Sequence, residues 1–223
     1  MSFILINKPK KMSSHGVVNA LRRITGEKRI GHAGTLDPMA EGLMVLGITR
    51  ESTKRLGEIT NGFDKTYIAE ITLGETRDTL DSEGQVIEKN EAVIPEDEKV
   101  KSVVDSFLGI QTQTPPIYSA LKINGKKAYE LARKGKEVNM KPREIEIYEI
   151  STLKYKYPVL ELKARVSSGT YIRSLARDIG LKLGSGAYLS SLVRTNIGKY
   201  KLEDSSLLES LTVENWQDHT FEI

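Results

Sequence analysis

The sequence predicts an α+β fold with a mixed sheet. Helix-like and strand-like segments are interspersed along the 223 residues, and several strand-like segments adjoin as hairpin-like pairs. No regular alternation of strand and helix occurs, which argues against a doubly wound parallel sheet. A hydrophobic content of 39% is sufficient for one large core or two small ones.

The first part of the chain predicts two helices and two strands. Residues 13–26 have apolar side chains at helical spacing, with a serine able to cap the start and a glycine able to end the helix. Residues 42–48 form an apolar run between glycines, which is typical of a buried strand, and residues 49–60 have a helical pattern. Residues 65–73 alternate between polar and apolar side chains, which indicates a second strand.

The second part predicts two further helices around a pair of strands. Residues 95–109 open with proline and acidic residues and have the apolar face of an amphipathic helix. The segments 144–150 and 159–166 alternate in polarity and predict strands. Residues 170–184 place apolar side chains on one helical stripe that ends at a glycine, and Arg173 lies off that stripe.

Composition excludes several classes of chemistry. The chain has no cysteine, so it has no disulfide, thiolate nucleophile or cysteine-based zinc site, and its three histidines lack the spacing of paired ligands. The acidic turn at residues 78–83 lacks the pattern of a calcium-binding loop, and no phosphate-binding glycine motif is present. We therefore expect neither metal nor cofactor. The N-terminal apolar run is too short for a signal peptide or membrane span, which predicts a cytoplasmic protein without a membrane partner.

Positive charge is concentrated in one strip of the sequence. Between Pro115 and Arg143 there are eight basic and two acidic residues, although the formal net charge of the whole chain is only +3. Such a strip suits a polyanion-binding surface, and Tyr118 and Tyr129 within it can stack on unpaired bases. A solvated basic loop is the alternative interpretation.

Asp37 lies in GTLDPMAEG, between a glycine turn and a predicted buried strand. Because it precedes proline, its backbone is biased toward an extended conformation. One interpretation is a helix cap or an Asx-turn. The other is a carboxylate nucleophile or base at the edge of a cleft, kept ionised by a cationic partner such as Arg173.

Five motifs in order resemble the tRNA pseudouridine synthase B family, whose members convert uridine 55 in the T-loop of tRNA to pseudouridine. The resemblance runs from about Leu5 to Tyr200. The motifs read GHAGTLDPMAEGLMVLGITRESTK, KTYIAEITLGETRDTLDSEG, TPPIYSALKINGKKAYELARKG, SSGTYIRSLARDIG and AYLSSLVRTNIGKY.

The resemblance implies roles for three catalytic residues. Asp37 matches the aspartate that attacks the target uridine, either at the base or through chemistry at the sugar. Arg173 matches the arginine that pairs with it. Tyr67 matches the active-site tyrosine, whose ring packs on the uracil and whose hydroxyl lies near the site of proton removal.

The resemblance also implies a set of residues that bind the RNA. One helps to hold the RNA loop open, one lies near the phosphates, one packs under the flipped base, and the rest belong to an RNA-gripping segment. In that order they are His32, Lys65, Leu192, and then Tyr118, Lys122, Lys126 and Lys127. The implied isomerisation has no net redox change and no group donor, so it requires neither metal nor cofactor.

The fold implied by the resemblance is the pseudouridine synthase fold, a mixed and mostly antiparallel sheet flanked by helices around a central catalytic cleft. Residues 1–223 are expected to form one catalytic domain, with the RNA-gripping insertion at about 112–143. We expect no C-terminal PUA module, which needs roughly 60 or more residues. The chain departs from the family at Lys11, where glycine is usual, and a monomer is the default expectation.

Two alternatives to the tRNA isomerase differ in function or in substrate. The chain could be an RNA-binding protein of the same fold that assists tRNA folding. It could also be a pseudouridine synthase that acts on another RNA, such as ribosomal RNA.

Overall fold

The computed structural model describes residues 1–60, 62–90, 92–123 and 125–222. The α-helices are α1 (Ser14–Thr25), α2 (Arg50–Thr60), α3 (Asp97–Asp105), α4 (Ala128–Ala132) and α5 (Ile172–Leu183). The strands are β1 (Ser2–Lys8), β2 (Ile30–Ala33), β3 (Glu41–Ile48), β4 (Lys65–Leu73), β5 (Glu75–Arg77), β6 (Val86–Lys89), β7 (Gly109–Gln113), β8 (Lys122–Ile123), β9 (Lys126–Lys127), β10 (Arg143–Lys156), β11 (Val159–Val166), β12 (Ala187–Ile197), β13 (Tyr200–Lys201), β14 (Ser206–Leu207) and β15 (Thr220–Phe221).

The chain divides into two compact units. The first comprises Met1–Ile68 with Leu192–Ile223, and the second comprises Ala69–Ser191. Strands β4 and β12 contribute residues to both.

The sheet of the first unit is built around β1 and β3. These strands pair antiparallel from Ser2 opposite Ile48 to Lys8 opposite Gly42, and β2 pairs antiparallel with the other edge of β3. Strand β12 runs parallel to the start of β3. One core cluster on this sheet comprises Phe3, Leu5, Ala33, Leu43, Val45, Leu56, Ile59, Ile197 and Tyr200. The core thus holds in place the strands that flank the Asp37 segment.

In the second unit, the strand order is β12-β4-β11-β10-β7. Strand β10 pairs antiparallel with both β11 and β7, and its apolar side chains Ile145 and Ile147 are buried. Two small hairpins, β5-β6 and β8-β9, stand apart from this sheet. Antiparallel pairing predominates, so the predicted α+β class with a mixed, mostly antiparallel sheet is confirmed.

Local signals predict the two ends of α1 correctly. Helix α1 begins after Ser13, whose hydroxyl accepts a hydrogen bond from Gly16 N at 3.0 Å, and ends at Gly26, which has a left-handed φ of 71°. The helix predicted over residues 95–109 is shorter, because α3 ends at Asp105. Leu108, expected on its apolar face, is 57% exposed, since the chain leaves the helix through tight turns into β7.

Within the described ranges, none of the helices has the length and apolar character needed to cross a membrane.

Candidate active site

Asp37 lies on the loop between β2 and β3. Its side chain is half-buried, and its main-chain carbonyl accepts a hydrogen bond from Ala40 N at 3.1 Å, closing a turn around Pro38. Gly34 opens the loop with a φ of 74°, a conformation that favours glycine. The carboxylate is therefore carried by a short, turn-rich segment that leads directly into a buried strand.

Two buried polar side chains fix the backbone of this loop. The hydroxyl of Ser14, at the start of α1, accepts from Leu36 N at 2.8 Å and donates to Leu36 O at 2.9 Å. The ammonium of Lys8, fully buried at the end of β1, donates to Met12 O at 2.6 Å and to Pro38 O at 3.4 Å. The residues on both sides of Asp37 are thus held by the body of the unit.

Lys11 reaches the same loop in a strained backbone conformation. Its φ is 63°, in the left-handed region, and its N–H donates to Pro38 O at 2.8 Å. This conformation explains why glycine suits the position, because a side chain there carries a steric cost. The lysine preserves the turn and its hydrogen bond to the Asp37 loop.

Arg194 on β12 is a buried residue of the first unit whose role the sequence reasoning missed. Its side chain is 1% exposed. Its Nε donates to Leu43 O at 2.8 Å, one of its terminal nitrogens donates to Gly34 O at 3.0 Å, and it also hydrogen-bonds to the side chain of Tyr67. The arginine stands in the closing motif SSLVRTNIG, but nothing local distinguishes it from a surface arginine.

Three predicted site residues share the environment of this guanidinium. Burial first, and then the charge of Arg194, lower the pKa of Lys65 to about 8, and its ammonium donates to Phe63 O at 3.1 Å. Burial, followed by the charges of Arg194 and His15, lowers the pKa of His32. Nδ1 of His32 is buried without a hydrogen-bond partner among the described residues. The structure therefore brings His32, Lys65 and Tyr67 together around Arg194.

The predicted apolar contact, Leu192, lies two residues before Arg194 on β12 and is 5% exposed. Since side chains alternate along a strand, Leu192 and Arg194 belong to the same face of β12.

Arg173 is the centre of a second network, in the second unit. Its position off the apolar stripe suggests a solvated side chain, but the structure shows Arg173 buried. Its Nη1 donates to Thr79 O at 3.0 Å and lies 3.4 Å from Asp81 Oδ2, while its Nη2 donates to Tyr118 O at 2.8 Å. The guanidinium plane is thus held by two carbonyls and a carboxylate from different segments.

Asp81 is a second residue whose role the sequence reasoning missed. It belongs to the acidic turn considered for calcium, and Oδ1 accepts from the hydroxyl of Thr79 at 2.6 Å and from Glu83 N at 3.1 Å. In the described part of the chain, no group of three or more acidic or histidine side chains could hold a metal. The spacing of Asp78, Asp81 and Glu83 serves a turn, and the turn presents Asp81 to Arg173.

The predicted RNA-gripping residues form a separate basic hairpin. Lys122 on β8 lies directly opposite Lys127 on β9, although like charges in this position are destabilising. Nζ of Lys127 lies 5.5 Å from the ring centre of Tyr129, and the guanidinium of Arg133 lies 5.6 Å from it. This concentration of cations around an aromatic ring suits contact with nucleic acid.

Comparison with known protein families identifies the family of this chain. The family model described as "TruB family pseudouridylate synthase (N terminal domain)" matches residues 22–172. The model described as "tRNA pseudouridylate synthase B C-terminal domain" matches residues 173–222. The tRNA pseudouridine synthase B of Thermosipho melanesiensis is 43% identical over 95% of this chain and 71% of its own. That of Protochlamydia amoebophila is 48% identical over 90% of this chain and 76% of its own.

Solved structures give the same result for the fold. The chain is similar to a structure described as a Cbf5-Nop10-Gar1 complex, with a TM-score of 0.73 and 29% identity over 96% of this chain. A second, described as an H/ACA RNP bound to a substrate RNA containing 2'-deoxyuridine, has a TM-score of 0.70 and 26% identity. The chain spans about half the length of these structural relatives, 54% and 53% respectively. It belongs to the TruB family of pseudouridylate synthases, isomerases that convert uridine to pseudouridine in RNA.

Proposed function

We propose that the protein converts uridine 55 in the T-loop of tRNA to pseudouridine, with Asp37 acting on a flipped-out base. The observation that carries this proposal is the loop of Asp37, whose backbone is fixed on both sides of the carboxylate by Ser14 and Lys8. Rigid positioning of a nucleophile is what an isomerisation without a cofactor requires. The name of the bacterial relatives supports tRNA as the substrate.

The reaction breaks the bond between C1′ of the ribose and N1 of uracil and forms a bond between C1′ and C5. The C5 proton leaves, and N1 gains a proton, so that atoms and charge balance. Asp37 starts the reaction as an ionised carboxylate, attacking either the base or the sugar. We assign Tyr67 to the C5 proton, because its hydroxyl is held by a buried guanidinium and its side chain is 7% exposed.

Arg173 is proposed as the cation that pairs with Asp37. Two of its nitrogens are oriented by the carbonyls of Thr79 and Tyr118 and by Asp81. A guanidinium held in this way keeps a fixed orientation and favours the ionised form of a neighbouring carboxylate. Its hydrogen bond to Tyr118 also couples it to the segment that begins the RNA-gripping region.

RNA recognition is assigned to two groups of residues. His32 and Lys65 lie beside the uridine and its phosphates, a role that the unpartnered Nδ1 of His32 supports, and Leu192 packs under the base. Lys122, Lys126 and Lys127 grip the T-arm, assisted by Tyr118. Recognition then depends on the shape of the arm and on splayed loop bases. A single catalytic domain that acts as a cytoplasmic monomer accords with this proposal.

The direct test is the release of tritium from a tRNA transcript labelled at uridine C5. Wild type and Asp37→Asn are compared at equal RNA occupancy, so that a difference reports chemistry and not binding. We expect release by wild type and none by Asp37→Asn. Binding by wild type without release would remove tRNA uridine 55 as the substrate.

A role in RNA folding is a second candidate, favoured by the separation of the basic hairpin from the Asp37 loop in sequence and in unit. If the protein also assists tRNA folding, Asp37→Asn retains full activity in an RNA-folding assay. Modification of an isolated T-arm hairpin, compared with a ribosomal RNA fragment, distinguishes tRNA from other RNA substrates.

A further inference from the structure

The backbone of β3 is shaped to admit Arg194. Gly42 has a φ of 109°, and a Cβ built on it would lie 2.4 Å from Arg194 O and 2.8 Å from Arg194 N. Only glycine therefore permits the close parallel approach of β12 to β3 at this point, where Arg194 is the register partner of Gly42. The approach directs the arginine side chain beneath the loop that joins β2 to β3.

Arg194 spans the two ends of the Asp37 loop. It donates to the carbonyl of Gly34 at the start of the loop and to the carbonyl of Leu43 just after its end, at 3.0 and 2.8 Å. These bonds complement those of Ser14 and Lys8, which reach the middle of the loop. A planar guanidinium can hold two carbonyls at once, whereas the single nitrogen of a lysine cannot reproduce the fork.

The same guanidinium holds the hydroxyl of Tyr67. When a phenol oxygen accepts a hydrogen bond from a cation, its own hydrogen must point elsewhere. The orientation of that hydrogen is therefore restricted by Arg194. Arg194 makes no ion pair with a carboxylate among the described residues, and its positive charge is felt by Lys65 and His32.

We propose that Arg194 is a positioning residue for the isomerisation, which sets both the Asp37 loop and the Tyr67 hydroxyl without touching the RNA. The inference rests on the proposed function of Asp37 and Tyr67. Because Arg194 is 1% exposed, it has no surface with which to bind substrate, so it acts through the groups that it holds. Its loss therefore lowers the rate of chemistry and leaves RNA affinity nearly unchanged.

The test compares Arg194→Lys with wild type under single-turnover conditions at saturating RNA, with amide hydrogen exchange of residues 34–43 measured on the free protein. We expect the rate to fall by about 30- to 100-fold, the Kd for RNA to stay within about threefold, and the loop amides to exchange faster. Arg55→Lys, at a partly exposed arginine of the same unit that pairs with Glu58, is the matched control.

Either of two results would overturn the proposal. One is a folded Arg194→Lys protein with a wild-type rate, and the other is a loss of RNA affinity as large as the loss of rate. Should this variant unfold, Arg194→Ala is assayed with added guanidinium or urea. Rescue by guanidinium alone supports the proposal, while rescue by neither or by both contradicts it. If wild type itself releases no tritium, the proposed function fails, whereas hydrogen exchange still reports on the loop.

Discussion

The guanidinium of Arg173 and the carboxylate of Asp81 form a buried ion pair, with 3.4 Å between Nη1 and Oδ2 and each side chain 5% exposed. Nη1 also donates to the carbonyl of Thr79, and Nη2 donates to the carbonyl of Tyr118. Asp81 is itself held by Thr79 and by the backbone of Glu83. It thus fixes the orientation of Arg173 in addition to balancing its charge.

Removal of the Asp81 charge should disturb Arg173 more than it disturbs the turn. Asp81→Asn keeps an oxygen for Thr79 and Glu83 but removes a carboxylate charge 3.4 Å from a buried guanidinium, so we expect a loss of about 3 kcal/mol in the free energy of unfolding. We also expect turnover to fall by about 100-fold, because Arg173 is the proposed partner of Asp37 and small displacements of a catalytic group are costly. Denaturant unfolding and tritium release measure the two effects. Asp78→Asn, an exposed carboxylate in the same turn, is the control and should change neither by much.

Lys65 should destabilise the fold at neutral pH. In the folded state its pKa is lowered to about 8 from 10.5, chiefly by burial. The unfolded chain therefore retains a proton that the folded protein loses between these two values, and the free energy of unfolding rises with pH across that window. We expect Lys65→Met to add about 2 kcal/mol at pH 7 and less at pH 10. Urea unfolding at the two pH values tests this. An equal stabilisation at both pH values would refute the charge argument. The control is Lys54→Met, at an exposed position.

Lys11 offers a stabilising substitution that leaves the loop contact intact. Its left-handed φ of 63° costs a non-glycine residue roughly 1 kcal/mol, and glycine removes that cost while keeping the N–H that donates to Pro38 O. Lys11→Gly is therefore expected to raise the melting temperature by a few degrees, as measured by calorimetry. Lys28→Gly, where φ is not positive, should lower it. A lower melting temperature for Lys11→Gly would show that the lysine side chain stabilises the turn.

The basic hairpin should make RNA affinity dependent on salt. Suppose that Lys122 and Lys126 each contact a phosphate. The double variant Lys122→Ala and Lys126→Ala then reduces the slope of log affinity against log salt concentration by about 2. The double variant Lys99→Ala with Lys101→Ala removes the same charge from exposed positions on α3 and should leave the slope unchanged. A filter-binding titration at several salt concentrations distinguishes the two. Equal slopes for all three proteins would exclude the hairpin from the interface.

The sequence predicts the elements well wherever the determinants are local. Ser13 and Gly26 mark the ends of α1 because a cap and a left-handed residue act within one turn of the chain. The sequence predicts the end of α3 too late, since the apolar spacing continues to Leu108 while the backbone has already turned toward β7. Apolar spacing that continues along the chain therefore does not determine the residue at which a helix ends.

The residues of the candidate site also differ in whether the sequence alone indicates them. Asp37 stands out in sequence because it belongs to a Gly-rich turn before proline and to a motif that resembles a family signature. Arg194 and Asp81 do not, because their importance arises from partners distant along the chain. The bonds of Arg194 to Leu43 and Gly34 cross 151 and 160 positions, and that of Arg173 to Thr79 crosses 94. Single-sequence patterns contain no record of such pairings.

The hydrogen bond from Arg194 to Gly34 also has a consequence for protein synthesis. During synthesis, the residue that closes the Asp37 loop from below is added 160 positions after Gly34. Contacts of such separation form late, because a long segment must first be made and brought back to the start. Over those 160 positions a nascent chain therefore carries Asp37 without the hydrogen bond that closes its loop. We therefore expect the Asp37 loop of an emerging polypeptide to reach its final geometry only after the β12 segment has left the ribosome and joined β3.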